Sequence, residues 1–318
     1  MHYRPLGATG ISVSELCLGT MNWGWTTSFA AADRVMDAFL AGGGNFLDTA
    51  DIYSNWVKGF KGGESETVIG KWMKARKNRR AIVLATKARG RMWDGPTGEG
   101  LNRAHLVKAC EDSLRRLQTD TIDLWQFHWA DDATPIEETL RAAQDLIAAG
   151  KVRYIGASNY SSGQLAEALA TATALNLPKF VSLQPFYNLA GRDIEKDHVW
   201  IFRKYRVAVI PYSPLMGGFY SGKYRRHKPI PKSKRAEGLK WLFNDKGWKT
   251  IEALERMGRK RGKTVLQMAL GWHLSHDWMT APIIGANTPE QVRESLGAAG
   301  LRLDETEMKE LDALTKPS

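Results

Sequence analysis

The sequence predicts an α/β protein, a (β/α)8 TIM barrel with an N-terminal β-hairpin and a long loop after strand seven, in one domain over residues 1–318. Three observations carry that reading. Short apolar runs alternate with helix-period stretches along the whole chain. Eight such runs over about 300 residues fit a closed barrel better than an open sheet. No GxGxxG turn follows any of them, so the dinucleotide-binding open sheet lacks its phosphate loop.

The elements follow in order. Residues 3–6 and 11–14 flank Gly7-Ala8-Thr9-Gly10, a hairpin signal. Strands are expected at 15–19, 45–48, 82–86, 122–127, 152–157, 180–184, 207–211 and 279–284. Helices are expected at 31–41, 66–75, 103–117, 136–149 and 164–175. Thr134-Pro135-Ile136-Glu137 reads as an N-cap with proline at the first helical position, and Ser161 with Gln164 and Asp304 with Glu307 read as capping boxes. The rhythm breaks at 213–249, a long connection without clear periodicity, and such loops in compact domains are usually functional or disordered.

Composition narrows the class. The chain is 43% hydrophobic and 25% charged, with core-forming residues to spare. Cys17 and Cys110 form no metal-ligand or CxxC spacing, which suits a reducing compartment. With no apolar signal core and no run approaching a membrane span, the expected location is cytoplasmic, with no membrane partner. The net charge is +11, which fits an anionic small ligand as well as nucleic acid. Most basic residues are scattered along helix faces, so no nucleic-acid partner is expected. The exception is the run of Lys223, Arg225, Arg226, Lys228, Lys232, Lys234 and Arg235. A solvated loop is the plain reading of that run. Its place after strand seven, where barrels frequently hold phosphate, adds an anion-contact reading for Lys223 and Arg235.

Barrel active sites form at the C-terminal ends of the strands. There the second strand delivers Asp48 with Tyr53 in the next loop, the third Lys87, the fourth His128, the fifth Ser158 and Asn159, the sixth Gln184, and the seventh Tyr212 and Ser213. Each alone has an ordinary reading as cap, surface lysine or core histidine. Steps of 39 residues from Asp48 to Lys87 and 41 from Lys87 to His128 match successive β/α units and bring them to one mouth. There, Asp48 keeps Lys87 charged, and the ammonium is expected to lower the Tyr53 pKa from about 10 by roughly one to three units. A phenol tuned in this way gives a proton to a developing alkoxide while His128 orients the carbonyl. Hydride then has to come from a cofactor. Ser158, Asn159 and Gln184 can grip a carboxamide, and Tyr212 offers a flat face to a ring.

These segments closely resemble the aldo-keto reductase superfamily over the whole length. They are Leu18-Gly19-Thr20, Asp48-Thr49-Ala50-Asp51-Ile52-Tyr53, Ala85-Thr86-Lys87, the strand ending at His128, Gly156-Ala157-Ser158-Asn159, Gln184-Pro185-Phe186-Tyr187-Asn188, Tyr212-Ser213-Pro214-Leu215 and Ile284-Gly285-Ala286-Asn287-Thr288-Pro289-Glu290-Gln291. The resemblance implies that Asp48, Tyr53, Lys87 and His128 are a catalytic tetrad with Tyr53 as general acid. It implies a nicotinamide held by Ser158, Asn159 and Gln184 with Tyr212 stacked on it. Thr20, Met21, Ser213, Pro214, Leu215 and Gly217 would line the same cofactor. The late segments look most like the aryl-alcohol-dehydrogenase-like and potassium-channel β-subunit branch. In that branch Gly222-Lys223-Tyr224 would bring Lys223 to the cofactor phosphates, Arg235 would reach the adenosine 2′-phosphate, and Gly285, Asn287, Gln291 and Glu294 would meet the adenosine.

The sequence departs from that pattern in places. Ser295 stands where asparagine is usual, and Asn287 where many NADPH-preferring relatives have arginine or lysine. Thr288 to Gln291 also reads as a plain capping box. The implied cofactor is NADPH, with NADH as the second choice, and the implied partner is a small carbonyl compound, aromatic or apolar. The chain holds 12 tryptophans. Trp25, Trp56 and Trp93 are expected in loops ringing the mouth, and Trp23 and Trp129 in the substrate pocket itself. His273 and His276 read as helix residues, and no metal site is expected. Two other functions fit part of the pattern. One is a cofactor-binding regulatory subunit like the channel β subunits, relatives that lack the tetrad histidine found here as His128. The other is a Schiff-base aldolase using Lys87, which would need a depressed lysine pKa.

Overall fold

The computed structural model describes residues 1–233 and 235–316; Lys234 of the basic run lies outside them. β1 (Tyr3–Pro5) and β2 (Ser12–Ser14) pair antiparallel as the expected hairpin. Its Leu6 and Val13 pack against Phe46, Leu124 and Ala208, closing the N-terminal end of the barrel. Gly7 makes this possible. Its φ is +60°, and a Cβ there would lie 2.3 Å from the Val181 carbonyl oxygen.

The barrel strands are β3 (Cys17–Gly19), β4 (Phe46–Asp48), β5 (Val83–Ala88), β6 (Ile122–Phe127), β7 (Val152–Ser158), β8 (Phe180–Gln184), β9 (Ala208–Val209) and β10 (Ile283–Gly285). All pair in parallel in the order β10-β3-β4-β5-β6-β7-β8-β9. The ring closes where Val209 bridges Met279 and the Ile283 N–H donates to the Pro211 carbonyl at 2.9 Å. The central strands match their expected spans. The first, seventh and eighth barrel strands are shorter than expected, for physical reasons. The buried Glu15 is bonded to the Gly300 N–H and to Arg302, and prolines at 211 and 282 cannot donate to a ladder.

Helices α1 (Phe29–Ala41), α2 (Glu64–Arg76), α3 (Arg103–Leu117), α4 (Ile136–Ala148) and α5 (Ser162–Ala174) follow β3 to β7 in turn. The chain continues through α6 (Ile194–Asp197), α7 (Val199–Tyr205), α8 (Asp245–Arg261), α9 (Val265–Leu274), α10 (Pro289–Leu296) and α11 (Glu305–Thr315). His273 lies in α9, but His276 falls in the turn beyond it. The capping boxes at Ser161 and Asp304 form as read. The Thr134 cap does not. Pro135 takes the cap position of α4, and the Thr134 hydroxyl donates to Asp131, which also accepts from the Leu101 N–H.

The loop after β9 is more ordered than its sequence suggests. It holds two short 3-10 turns, Met216–Ser221 and Glu237–Leu242, and gives way to α8 already at Asp245. Phe219 anchors it, touching Tyr224, Phe243 and Trp248 at ring-centroid distances of 5.8 to 6.0 Å. Among the described residues no helix is long and apolar enough to cross a membrane.

Candidate active site

The strand register sets the site. Asp48 ends β4 opposite Ala85, and Lys87 stands two residues further along β5, opposite Gln126. The Lys87 ammonium is fully buried and donates to Asp48 Oδ2 at 2.6 Å, the Thr49 carbonyl at 2.8 Å and the Tyr53 hydroxyl at 2.9 Å. Burial alone would lower the lysine pKa. The neighbouring Asp48 and Tyr53 outweigh it and push the pKa up to about 12. The other Asp48 oxygen accepts from the side-chain amides of Gln126 at 2.9 Å and Gln184 at 2.8 Å. A carboxylate with three donors, one of them a cation, meets the cost of its own burial.

Tyr53 departs from the expected tuning. Its pKa is raised, not lowered, because burial penalises the phenolate and the Asp48 charge adds to that, while Lys87 offsets only part. Its phenol is therefore held protonated through neutral pH. His128 follows β6, with its N–H donating to the Ala88 carbonyl at 3.0 Å. Burial first, and then the Lys87 charge, pull the His128 pKa well below the usual histidine value, leaving a neutral imidazole. Its ring lies 6.0 Å from the Tyr53 ring, and Nδ1 is buried with no hydrogen-bond partner among the described residues. A buried, unpartnered ring nitrogen beside a phenol is an open place for a polar substrate atom.

These groups open into a cavity of about 790 Å³ at the C-terminal end of the strands. Asp48, Tyr53 and His128 line it, and Lys87 lies beneath. All of the expected cofactor residues line it too: Thr20, Met21, Ser158, Asn159, Gln184, Tyr212, Ser213, Pro214, Leu215, Gly217, Lys223, Arg235, Gly285, Asn287, Gln291, Glu294 and Ser295. Asn159 and Ser213 hold positive φ values of 57° and 55°, strain of the kind that collects at functional sites. Asn159 donates to Ser158 Oγ and the His128 carbonyl and accepts from the Tyr212 hydroxyl, so these groups form one connected array. Gly217 and Gly218, with φ of 61° and 94°, bring bare backbone to the wall beside Lys223. Thr288 caps α10 as read, but the Gln291 side chain accepts from the Asn287 N–H, one residue short of a full capping box.

Two tryptophan expectations are corrected. Trp23 is fully buried and absent from the cavity wall. The turn that bonds its N–H to the Thr20 carbonyl sends the indole into the core, so Trp23 is not a substrate-pocket residue. Trp93 stacks on His105 at 4.8 Å instead of facing the mouth. Trp129 does line the cavity. Trp25 and Trp56 meet edge to face at 6.3 Å, and Trp56 in turn meets Tyr53 at 6.2 Å.

The sequence reading missed Gln126, Asn22 and Thr26. Gln126 had a visible signal, a lone amide inside the apolar run 122–127 at the phase of Leu124, which points into the barrel. Asn22 and Thr26 line the cavity from the loop after β3 and had no comparable signal.

With the barrel, the buried lysine and the cavity in view, the comparison with known proteins is direct. The aldo/keto reductase family model matches residues 15–316. The chain belongs to that family. It is 36% identical to an uncharacterized oxidoreductase of Bacillus subtilis, over 98% of this chain and 95% of that protein. It is 33% identical to norsolorinic acid reductase B of Dothistroma septosporum, over 98% and 81%. It is 32% identical to a probable voltage-gated potassium channel subunit beta of rice, over 94% and 91%.

Proposed function

We propose that this aldo/keto reductase reduces a small aldehyde or ketone to the alcohol with a nicotinamide dinucleotide, Tyr53 giving the proton. The observation that carries the reading is the Lys87 ammonium, bonded at once to Asp48 and to the Tyr53 hydroxyl at the floor of the cavity. Tyr53 donates its proton to the carbonyl oxygen as that oxygen gains charge, and Lys87 stabilises the phenolate left behind. Asp48 keeps Lys87 charged and in place. Neutral His128 aims a ring N–H at the same oxygen and fixes the carbonyl. A nicotinamide held by Ser158, Asn159 and Gln184 would supply the hydride.

The fit of the cavity to that cofactor is supported by its own residues. Lys223 and Arg235 line it, and neither has a carboxylate partner among the described residues; Lys223 lies over the Tyr224 ring and Arg235 over Trp25. Two unneutralised cations at one end suit the phosphates of NADPH, with NADH as the weaker choice. Ser158, Asn159 and Gln184 would hold the carboxamide and Tyr212 the ring. Trp129 and Met21 give the substrate side an apolar wall suited to aryl carbonyls.

Likeness to the channel β subunit favours one other reading, slow turnover in a cofactor-sensing role. An intact His128 beside Tyr53 argues for real turnover. The aldolase reading fares worse, since a lysine pushed up to about 12 is no nucleophile at neutral pH. Oxidation of NADPH in the presence of 4-nitrobenzaldehyde tests the proposal. A rate well above background is expected, and none above background would overturn it.

A further inference from the structure

Arg235 is held in an unusual way for a cation half-buried in a cleft. Its guanidinium lies 5.1 Å from the Trp25 ring centroid and donates to the Asn22 side-chain oxygen at 2.6 Å. No carboxylate neutralises it among the described residues. Burial lowers its pKa, and no charged neighbour contributes among the described residues. A neutral acceptor and an aromatic face fix the position of the charge without cancelling it.

The polarity of Asn22 follows from Arg235. A guanidinium only donates, so the atom of Asn22 that meets it must be the carbonyl oxygen. The Asn22 amide nitrogen then points to Asn287, whose facing atom must be its oxygen, at 3.3 Å. That oxygen also accepts from the Thr26 hydroxyl at 3.0 Å and the Thr27 hydroxyl at 2.6 Å. Asn287 is thereby tied to the loop after β3, and its backbone N–H to Gln291 at 2.7 Å. Gly285 leaves room for the junction, since a Cβ there would sit 3.3 Å from the Asn22 amide nitrogen. Three separate loops of the barrel mouth, those after β3, β9 and β10, therefore meet at Asn22.

We propose that Asn22 is a positioning residue for cofactor selection: it holds Arg235 over Trp25, charged and aimed into the adenosine end, so that a 2′-phosphorylated dinucleotide is preferred. The inference rests on reading the cleft as a nicotinamide dinucleotide site. It differs from a merely structural role for Asn22, because its effect must pass through Arg235 and fall on the phosphorylated cofactor alone.

The test is a set of equilibrium titrations of NADPH and NADH, followed by tryptophan fluorescence, on the full chain and four variants: Asn22→Ala, Asn22→Asp, Arg235→Ala and the double variant Arg235→Ala with Asn22→Ala. Asn22→Ala should weaken NADPH about fivefold, the scale of one lost hydrogen bond, and change NADH less than twofold. Asn22→Asp keeps an acceptor but neutralises the guanidinium, and should weaken NADPH about tenfold or more with NADH little affected. In the Arg235→Ala background, Asn22→Ala should have no further effect. Equal weakening of both cofactors, or an undiminished effect without Arg235, would overturn the inference and leave the cleft reading standing. Wild-type protein that binds both cofactors equally would also overturn it. Wild-type protein that binds neither would overturn the cleft reading as well. Because Asn22→Asp retains the size and polarity of the residue, it keeps the test decisive if Asn22→Ala fails to fold.

Discussion

The two ends of the cavity treat charge in opposite ways. At the floor, the Lys87 ammonium is fully buried and neutralised in place by Asp48, whose second oxygen is filled by Gln126 and Gln184. At the other end, the proposed adenosine side, Arg235 is held by a neutral amide and an indole, and Lys223 by the Tyr224 ring, with no carboxylate against either among the described residues. A balanced pair is a permanent fixture, which suits a proton donor's support. An unbalanced cation is completed only by an incoming anion. On the proposed function, the same chain thus separates a catalytic charge from a binding charge by what stands next to each.

That contrast predicts different responses to removing the cation. Lys87→Met should cost turnover by at least about a hundredfold and stability by about 3–5 kcal/mol, because it leaves Asp48 buried and unpaired. Steady-state kinetics and denaturant unfolding check the two effects. Arg235→Ala should leave unfolding within about 0.5 kcal/mol of wild type and weaken NADPH about tenfold, as read by titration. Equal stability losses in the two variants would erase the distinction.

A third carboxylate sharpens it further. Asp51 is fully buried close to the floor, its N–H donating to the Lys87 carbonyl, yet among the described residues no side chain bonds either carboxylate oxygen. The Ile52 backbone N–H, the one group that lowers its pKa by hydrogen bonding, stands outside good bonding geometry. Burial, then the nearby Glu66 charge, raise its pKa well above the usual carboxylate value. A raised carboxyl pKa favours the folded state below the unfolded value of about 4, and that contribution is lost as pH rises through the folded value. Asp51→Asn should therefore raise the melting temperature by about 2 °C at pH 8, with the gain shrinking towards pH 4, as calorimetry across that range would show.

The floor was more legible in the sequence than the end of the cavity that holds Arg235, for a physical reason. Asp48, Lys87 and His128 each end an apolar strand, and a barrel brings strand ends together whatever the loops do. Gln126 was legible in principle, as an amide at an inward phase. Loop residues are placed by turns that spacing does not encode. Trp23 comes four residues after β3 and Trp129 two after β6, yet one indole turns into the core and the other into the cavity. Asn22 acquires its role only because loops separated by more than 200 residues meet there, as the 213-residue gap from Asn22 to Arg235 shows. The direction of the Tyr53 shift was misread because its burial depends on how the loop carrying it folds back over Lys87. The neighbouring cation was visible in the sequence, and the desolvation that outweighs it was not.

The most direct test of the floor's role is Tyr53→Phe, which removes the hydroxyl proton and one acceptor of the Lys87 ammonium while leaving its bonds to Asp48 and the Thr49 carbonyl. Turnover in carbonyl reduction should fall by about a thousandfold or more, while NADPH still binds within about twofold of wild type by fluorescence titration, since no cofactor grip is lost. Activity retained within tenfold would show that the proton comes from elsewhere and contradict the account.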